Sequence, residues 1–169
     1  MPIHPKAQDA APMIMYEWKM FKPSAKMLRI IQTVDDPRRA QLGQVLNENY
    51  AGAVFLLSFL LHARNLADFL FMRPNANEES DDVVAEHFFE TPDEWRNRMV
   101  EPGPYLTGNK ARMYQVLARP RFGRVEYGRL SLRKWDVDAI TREVSQGWEV
   151  FWDSLSHEKQ GWFDVVPPA

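Results

Sequence analysis

The 169-residue chain has no cysteine. That excludes a disulfide framework, an iron–sulfur centre, a thiol nucleophile and a cysteine-ligated zinc site, and it fits a reducing compartment. Histidine is scarce too: His4 and His157 read as tail and surface residues, leaving His62 and His87. There is no Gly-x-Gly-x-x-Gly, no phosphate loop, no Gly-x-Ser-x-Gly elbow and no His-Glu-x-x-His. The common dinucleotide, nucleotide-triphosphate, serine-hydrolase and zinc-peptidase templates therefore fail. Residues 1–12 lack the basic start and apolar run of a signal peptide. The longest apolar run, residues 51–61, is 11 residues long and is followed by His62, Arg64, Asn65 and Asp68. A span needs about 18–20 apolar residues. The run therefore reads as a core helix, with no membrane partner and a cytoplasmic location expected.

What is present is a globular composition: 45% apolar, 26% charged, with six Trp, five Tyr and ten Phe to fill a core. Net charge is −2, but the charges are segregated. Residues 78–101 hold nine acids against Arg96 and Arg98, and residues 110–134 hold eight bases against Glu126. The two segments either face each other or stay solvated, or the basic one forms an anion-binding surface.

Helical spacing organises most of the chain. Residues 1–22 show no clear period and read as a tail that drapes Tyr16, Trp18 and Phe21 over the domain. Ser24, after Pro23, is placed to cap a short helix. Asp36-Pro37 is a start signal for a long helix over residues 37–72. Leu42, Leu46, Asn49, Ala53, Leu57, Leu60, Arg64, Ala67 and Phe71 recur at spacings of three and four, which predicts an inward stripe. Apolar residues on its other sides mark this helix as central. Ser80-Asp81-Asp82 predicts a short helix through Phe89, and Thr91-Pro92-Asp93-Glu94 has the form of a capping box. Residues 101–105 read as loop, with a helix capped by Thr107 and ending before Pro120. Residues 121–134 fit either a strand pair or irregular chain. Asp136 predicts the cap of an amphipathic helix carrying Val137, Ile140, Val144, Trp148, Phe151 and Leu155, with Gly161 as an end signal. Trp148 and Trp152 read as core at this spacing. The expected architecture is an all-α helical bundle around one long central helix, with residues 23–163 as one domain between tails at 1–22 and 164–169.

Arg64 is the informative residue, because its stripe otherwise faces the core. A buried guanidinium must be paired, reach water or line a cleft. Asp68, four residues on, is one partner, and Asp81, Asp82 and Glu86 lie one loop away. Alternatively Arg64 and Asn65 present donors to a phosphate or carboxylate in a pocket. His62, Asp68, Asp82, Glu86 and His87 are metal-capable, but no Glu-x-x-His pair occurs, so neither metal nor cofactor is expected and His62 reads as a satisfied, half-buried histidine.

Residues 62–70 (His-Ala-Arg-Asn-Leu-Ala-Asp-Phe-Leu), residues 81–89 (Asp-Asp-Val-Val-Ala-Glu-His-Phe-Phe), Tyr127-Gly128-Arg129 and Lys134-Trp135 resemble a group of uncharacterised bacterial proteins with HEPN-like helical bundles. The resemblance spans residues 50–151. It implies a HEPN-like fold and a dimer, and in active members a metal-independent ribonuclease or a nucleotidyl-transfer partner, with an Arg followed four to six residues later by His. Here those positions after Arg64 hold Asp68, Phe69 and Leu70, and Arg124 stands where similar sequences place a histidine. Arginine cannot serve as a general base near neutral pH. The expected function is thus a non-catalytic module that binds a partner protein or associates with itself. The alternative is an RNA- or nucleotide-binding protein using Arg64, Asn65, Arg124 and Arg129, with a divergent ribonuclease as its catalytic extreme.

Overall fold

The structure, a computed structural model, describes residues 6–33, 38, 48–73, 82–118 and 135–164. In chain order these form α1 (Ala7–Gln32), α2 (Glu48–Phe71), a 3-10 turn (Ala85–Phe88), α3 (Pro92–Arg96), α4 (Pro104–Ala118), α5 (Val137–Ser154), α6 (His157–Gly161) and a second 3-10 turn (Trp162–Asp164). No strand occurs among the described residues. The fold class is all-α, as the periodicity predicts.

The first correction concerns the expected tail. Residues from Ala7 onward are one continuous helix that passes through Pro12 and Pro23. Its buried side carries Ala7, Ala11, Ile14, Phe21, Ala25 and Leu28. With half-buried Trp18 these recur at alternating spacings of four and three. Burial of that stripe outweighs the cost of two prolines, each of which removes one backbone donor. Ser24 is therefore not a cap. It lies mid-helix, where its hydroxyl donates to the Met20 carbonyl at 2.8 Å and meets Ser58 Oγ at 3.1 Å.

α1 and α2 run antiparallel: Glu17 meets His62, Phe21 stacks on Phe59 with centroids 5.3 Å apart, and Ser24 meets Ser58. α5 also runs antiparallel to α1, with Trp18 stacked on Trp148 at 4.7 Å and Arg29 Nε donating to Asp138 at 2.5 Å. Asp136 caps α5 by accepting from the Ala139 N–H at 2.8 Å. The whole predicted α5 stripe, Val137 through Leu155, is buried. Its centre is Phe151, which meets Phe69, Phe88 and Trp95 edge-on at 4.9–5.7 Å. Edge-to-face contact places the positive ring edge on the negative ring face. Gly147 lets α5 approach α2, since a Cβ there would lie 2.6 Å from the Phe71 ring.

Three smaller expectations change. Residues 82–84 are not helical and only Ala85–Phe88 turns, as a 3-10 segment. α3 does begin after Thr91 with Pro92 in its first turn, but Thr91 makes no cap to the backbone and its hydroxyl lies 3.5 Å from Glu94 Oε1. α4 begins at Pro104 rather than at Thr107, whose hydroxyl donates back to the Gly103 carbonyl at 3.0 Å. The stretch at 121–134 and most of residues 34–47, the first part of the expected long helix, lie outside the described residues.

α2 itself is turned from its expected orientation. Its deepest residues are Leu56, Phe59, Leu60, Ala63, Leu66 and Leu70, all buried, whereas Ala53, Leu57, Arg64, Ala67 and Phe71 sit at the margin. When a helix is apolar nearly all round, period alone does not say which side faces in. By length and composition 52–71 meets the criteria for a membrane-crossing helix, but half of that window is packed inside the bundle and Arg64 and Asp68 lie within it.

Candidate functional site

Arg64 lies at the edge of the core, with 29% of its side chain exposed, facing Asp68 one turn on. Its Nε is 3.9 Å from Asp68 Oδ2, within ion-pair reach but too far for a hydrogen bond. Among the described residues that buried Nε donates to nothing. α4 completes the cluster. Lys110 Nζ stands 3.1 Å from Asp68 Oδ1, and the Tyr114 hydroxyl donates a short hydrogen bond to Asp68 Oδ2. The Arg64 guanidinium also lies 5.0 Å from the centre of the Tyr114 ring, a favourable cation–π placement. One carboxylate is thus shared by two cations and a phenol. Burial, then the hydrogen bond and charge of Asp68, push the Tyr114 hydroxyl well above the ordinary phenol range, so it stays a donor.

The other predicted site residues are dispersed. His62 is buried, with Nδ1 2.6 Å from Glu17 Oε2 of α1 and Tyr16 packed edge-on at 6.0 Å. Glu86 is buried and accepts from Arg96 Nε at 3.0 Å and Nη2 at 3.2 Å, a bidentate pair. Asn65 is half-buried and Asp82 exposed. Asp81, Arg124 and Arg129 lie outside the described residues, as does most of the basic segment. Of that segment, Lys110 is engaged as above and Arg112 lies 4.1 Å from the Trp135 ring centre. No group of three or more metal-capable side chains converges among the described residues.

Several engaged residues gave no sequence signal, namely Glu17, Arg96, Lys110 and Tyr114. Glu143 stands directly beside the α5 stripe. Its buried carboxylate accepts from the Tyr105 and Leu106 N–H groups at 3.2 and 2.8 Å. It thereby caps α4 from another helix, where the helix dipole favours a negative charge. Gly103 makes room, because a Cβ there would come within 2.1 Å of the Glu143 carboxyl carbon.

The opposite character appears on the outer face of the α1–α2 pair. Val54 is 61% exposed, Met13 56%, Tyr16 46% and Leu61 39%. Val54 and Leu61, seven residues apart, share one side of α2, and Met13 and Tyr16, three apart, share one side of α1. The two sides adjoin where Tyr16 packs on His62, the residue after Leu61. Met72 and Val100, each 36% exposed, are the other large apolar side chains left open among the described residues. Fold and surface together define an all-α helical bundle in which, among the described residues, His62, Glu86 and Glu143 are engaged inside and large apolar side chains of α1 and α2 are exposed. Comparison with family models, with curated proteins and with solved structures finds no match to this chain.

Proposed function

We propose that the protein is a non-catalytic docking module that associates through the outer face of α1 and α2, with a second copy of itself as its protein partner. The single observation that carries this reading is the exposure of Val54, Leu61, Met13 and Tyr16 on one continuous face. Engagement of the chemically capable groups by one another supports the non-catalytic part: Asp68 with Lys110 and Tyr114, His62 with Glu17, Glu86 with Arg96, Glu143 with the start of α4. The size of the face supports a second copy. α2 has 24 residues, and a helix of that length is about 36 Å long at ~1.5 Å per residue. Two helices side by side are about 20 Å wide, giving a face near ~700 Å², close to the ~800 Å² per partner of a stable interface.

Light scattering tests it. At tens of micromolar the wild type gives twice the 19.8 kDa chain mass, and the double change Val54→Asp, Leu61→Asp returns it to a monomer with unchanged helicity. A wild type that is monomeric at about 100 µM, an affinity weaker than ~5 kcal/mol, contradicts self-association through this face.

A further inference from the structure

The apolar face has a basic border. Lys19, Lys22, Lys26 and Arg29 recur along α1 at spacings of three, four and three, all exposed. By helical spacing this stripe runs beside the one formed by Met13, Tyr16, Met20 and Met27. Arg29 is taken by Asp138. Among the described residues no carboxylate pairs with Lys19, Lys22 or Lys26, although Lys22 also lies 4.4 Å from the Trp18 ring centre. The face holds few acids: exposed Asp9 stands one turn before Met13, and Asp68 seven residues after Leu61. α1 holds only Asp9, near its start, and Glu17, which is bound to His62; residues 52–71 of α2 hold only Asp68, which is held by Lys110 and Tyr114. Crossing the face from one edge to the other, one meets ammonium groups that no described carboxylate pairs with, then methionine and tyrosine, then Val54 and Leu61.

Three occupants fit parts of this gradient. A second copy covers the apolar portion but brings an identical lysine stripe, so it leaves the charge uncompensated. A polynucleotide neutralises the lysines but leaves Val54, Leu61 and Met13 in water. An anionic lipid surface does both, since its acidic headgroups lie directly over an apolar layer and lysines reach them while shorter apolar side chains enter. We infer that the α1–α2 outer face binds the surface of an anionic bilayer, with Met13, Tyr16, Val54 and Leu61 in the headgroup boundary and Lys19, Lys22 and Lys26 on the lipid phosphates and carboxylates. This rests on the reading of that face as the docking surface, and it makes the bilayer the occupant that displaces the second copy when acidic lipid is present. It is a surface contact, with residues 52–71 of α2 staying packed in the bundle.

Vesicle co-sedimentation decides it, with phosphatidylcholine vesicles compared against the same vesicles containing roughly one-third phosphatidylserine at about 0.1 M salt. The full chain should partition onto the acidic vesicles at least about tenfold better than onto the neutral ones. The triple change Lys19→Gln, Lys22→Gln, Lys26→Gln should abolish that preference while leaving helicity and the mass in solution unchanged. Val54→Asp with Leu61→Asp should lose vesicle binding and self-association together. Equal binding to both vesicles, no binding to either, or a preference that survives the lysine changes overturns the lipid inference; the dimer mass, measured separately, then still judges the self-association reading. Lysine-dependent binding to single-stranded RNA with no vesicle binding also overturns it.

Discussion

α2 has two outer flanks that differ in almost every respect. Towards its C-terminal end, Arg64 and Asp68 carry charge, and α4 covers them with Lys110 and Tyr114. Towards its N-terminal end, Val54 and Leu61 carry none and are bare. The residue that stands out in the sequence, a cation among leucines, faces Asp68 and the Tyr114 ring inside the fold. Val54 and Leu61, which look ordinary in the sequence as members of a long apolar helix, are the most exposed large side chains of α2 among the described residues. Among the described residues the most exposed large apolar side chain, Val54, lies on that second flank.

The contrast can be broken from either side. Asp68→Ala should have the largest effect on stability, because it strands Lys110, Arg64 and Tyr114 around a lost acceptor. We expect a loss of about 3 kcal/mol, or roughly 5–10 °C in Tm. On the other flank, Val54→Asp should cost less than about 0.5 kcal/mol, since that side chain is 61% exposed. Equal losses at the two positions would remove the distinction. A smaller effect sharpens the covered flank. The Tyr114 hydroxyl titrates above its ordinary value of 10.0 in the folded chain, so the folded state holds a proton that the unfolded chain releases above that pH. Its contribution is complete below pH ~10 and declines as pH rises further. Tyr114→Phe should therefore lower stability by about 1 kcal/mol at pH 8, and the gap should narrow by pH 11. A gap that does not change with pH would mean the phenol is not held by Asp68.

Much of the fold was legible because helical period and capping chemistry agree. α5 is the clearest case: its stripe and its Asp136 cap both stand where the spacing places them. α1 was readable in principle, since Ala7, Ala11, Ile14, Trp18, Phe21, Ala25 and Leu28 keep a strict three–four rhythm. Pro12 and Pro23 masked it, being breakers by local propensity that tertiary burial overrides. α2 failed in the reverse way. It offers so many apolar positions that several stripes fit equally well, and the one containing Arg64 is not the deepest. The site was less legible still. Nothing local in α4 links Lys110 or Tyr114 to Asp68, and nothing in α5 announces that Glu143 will cap a helix packed against it. Such pairings exist only after the helices meet. The exposed face was unreadable for the same reason, because exposure is decided by what fails to pack against a helix.

Cross-linking tests the docking face most directly, because the chain has no cysteine of its own and single thiols can be placed at will. Val54→Cys puts one on the α1–α2 face, and Asp93→Cys puts one on exposed α3. With a short bis-maleimide at a protein concentration of about 10 µM, near the ~7 kcal/mol affinity range expected of a modest dimer, Val54→Cys should be captured as a covalent dimer and Asp93→Cys should stay monomeric. Equal capture at the two positions, or capture at residue 93 alone, would contradict an interface on this face.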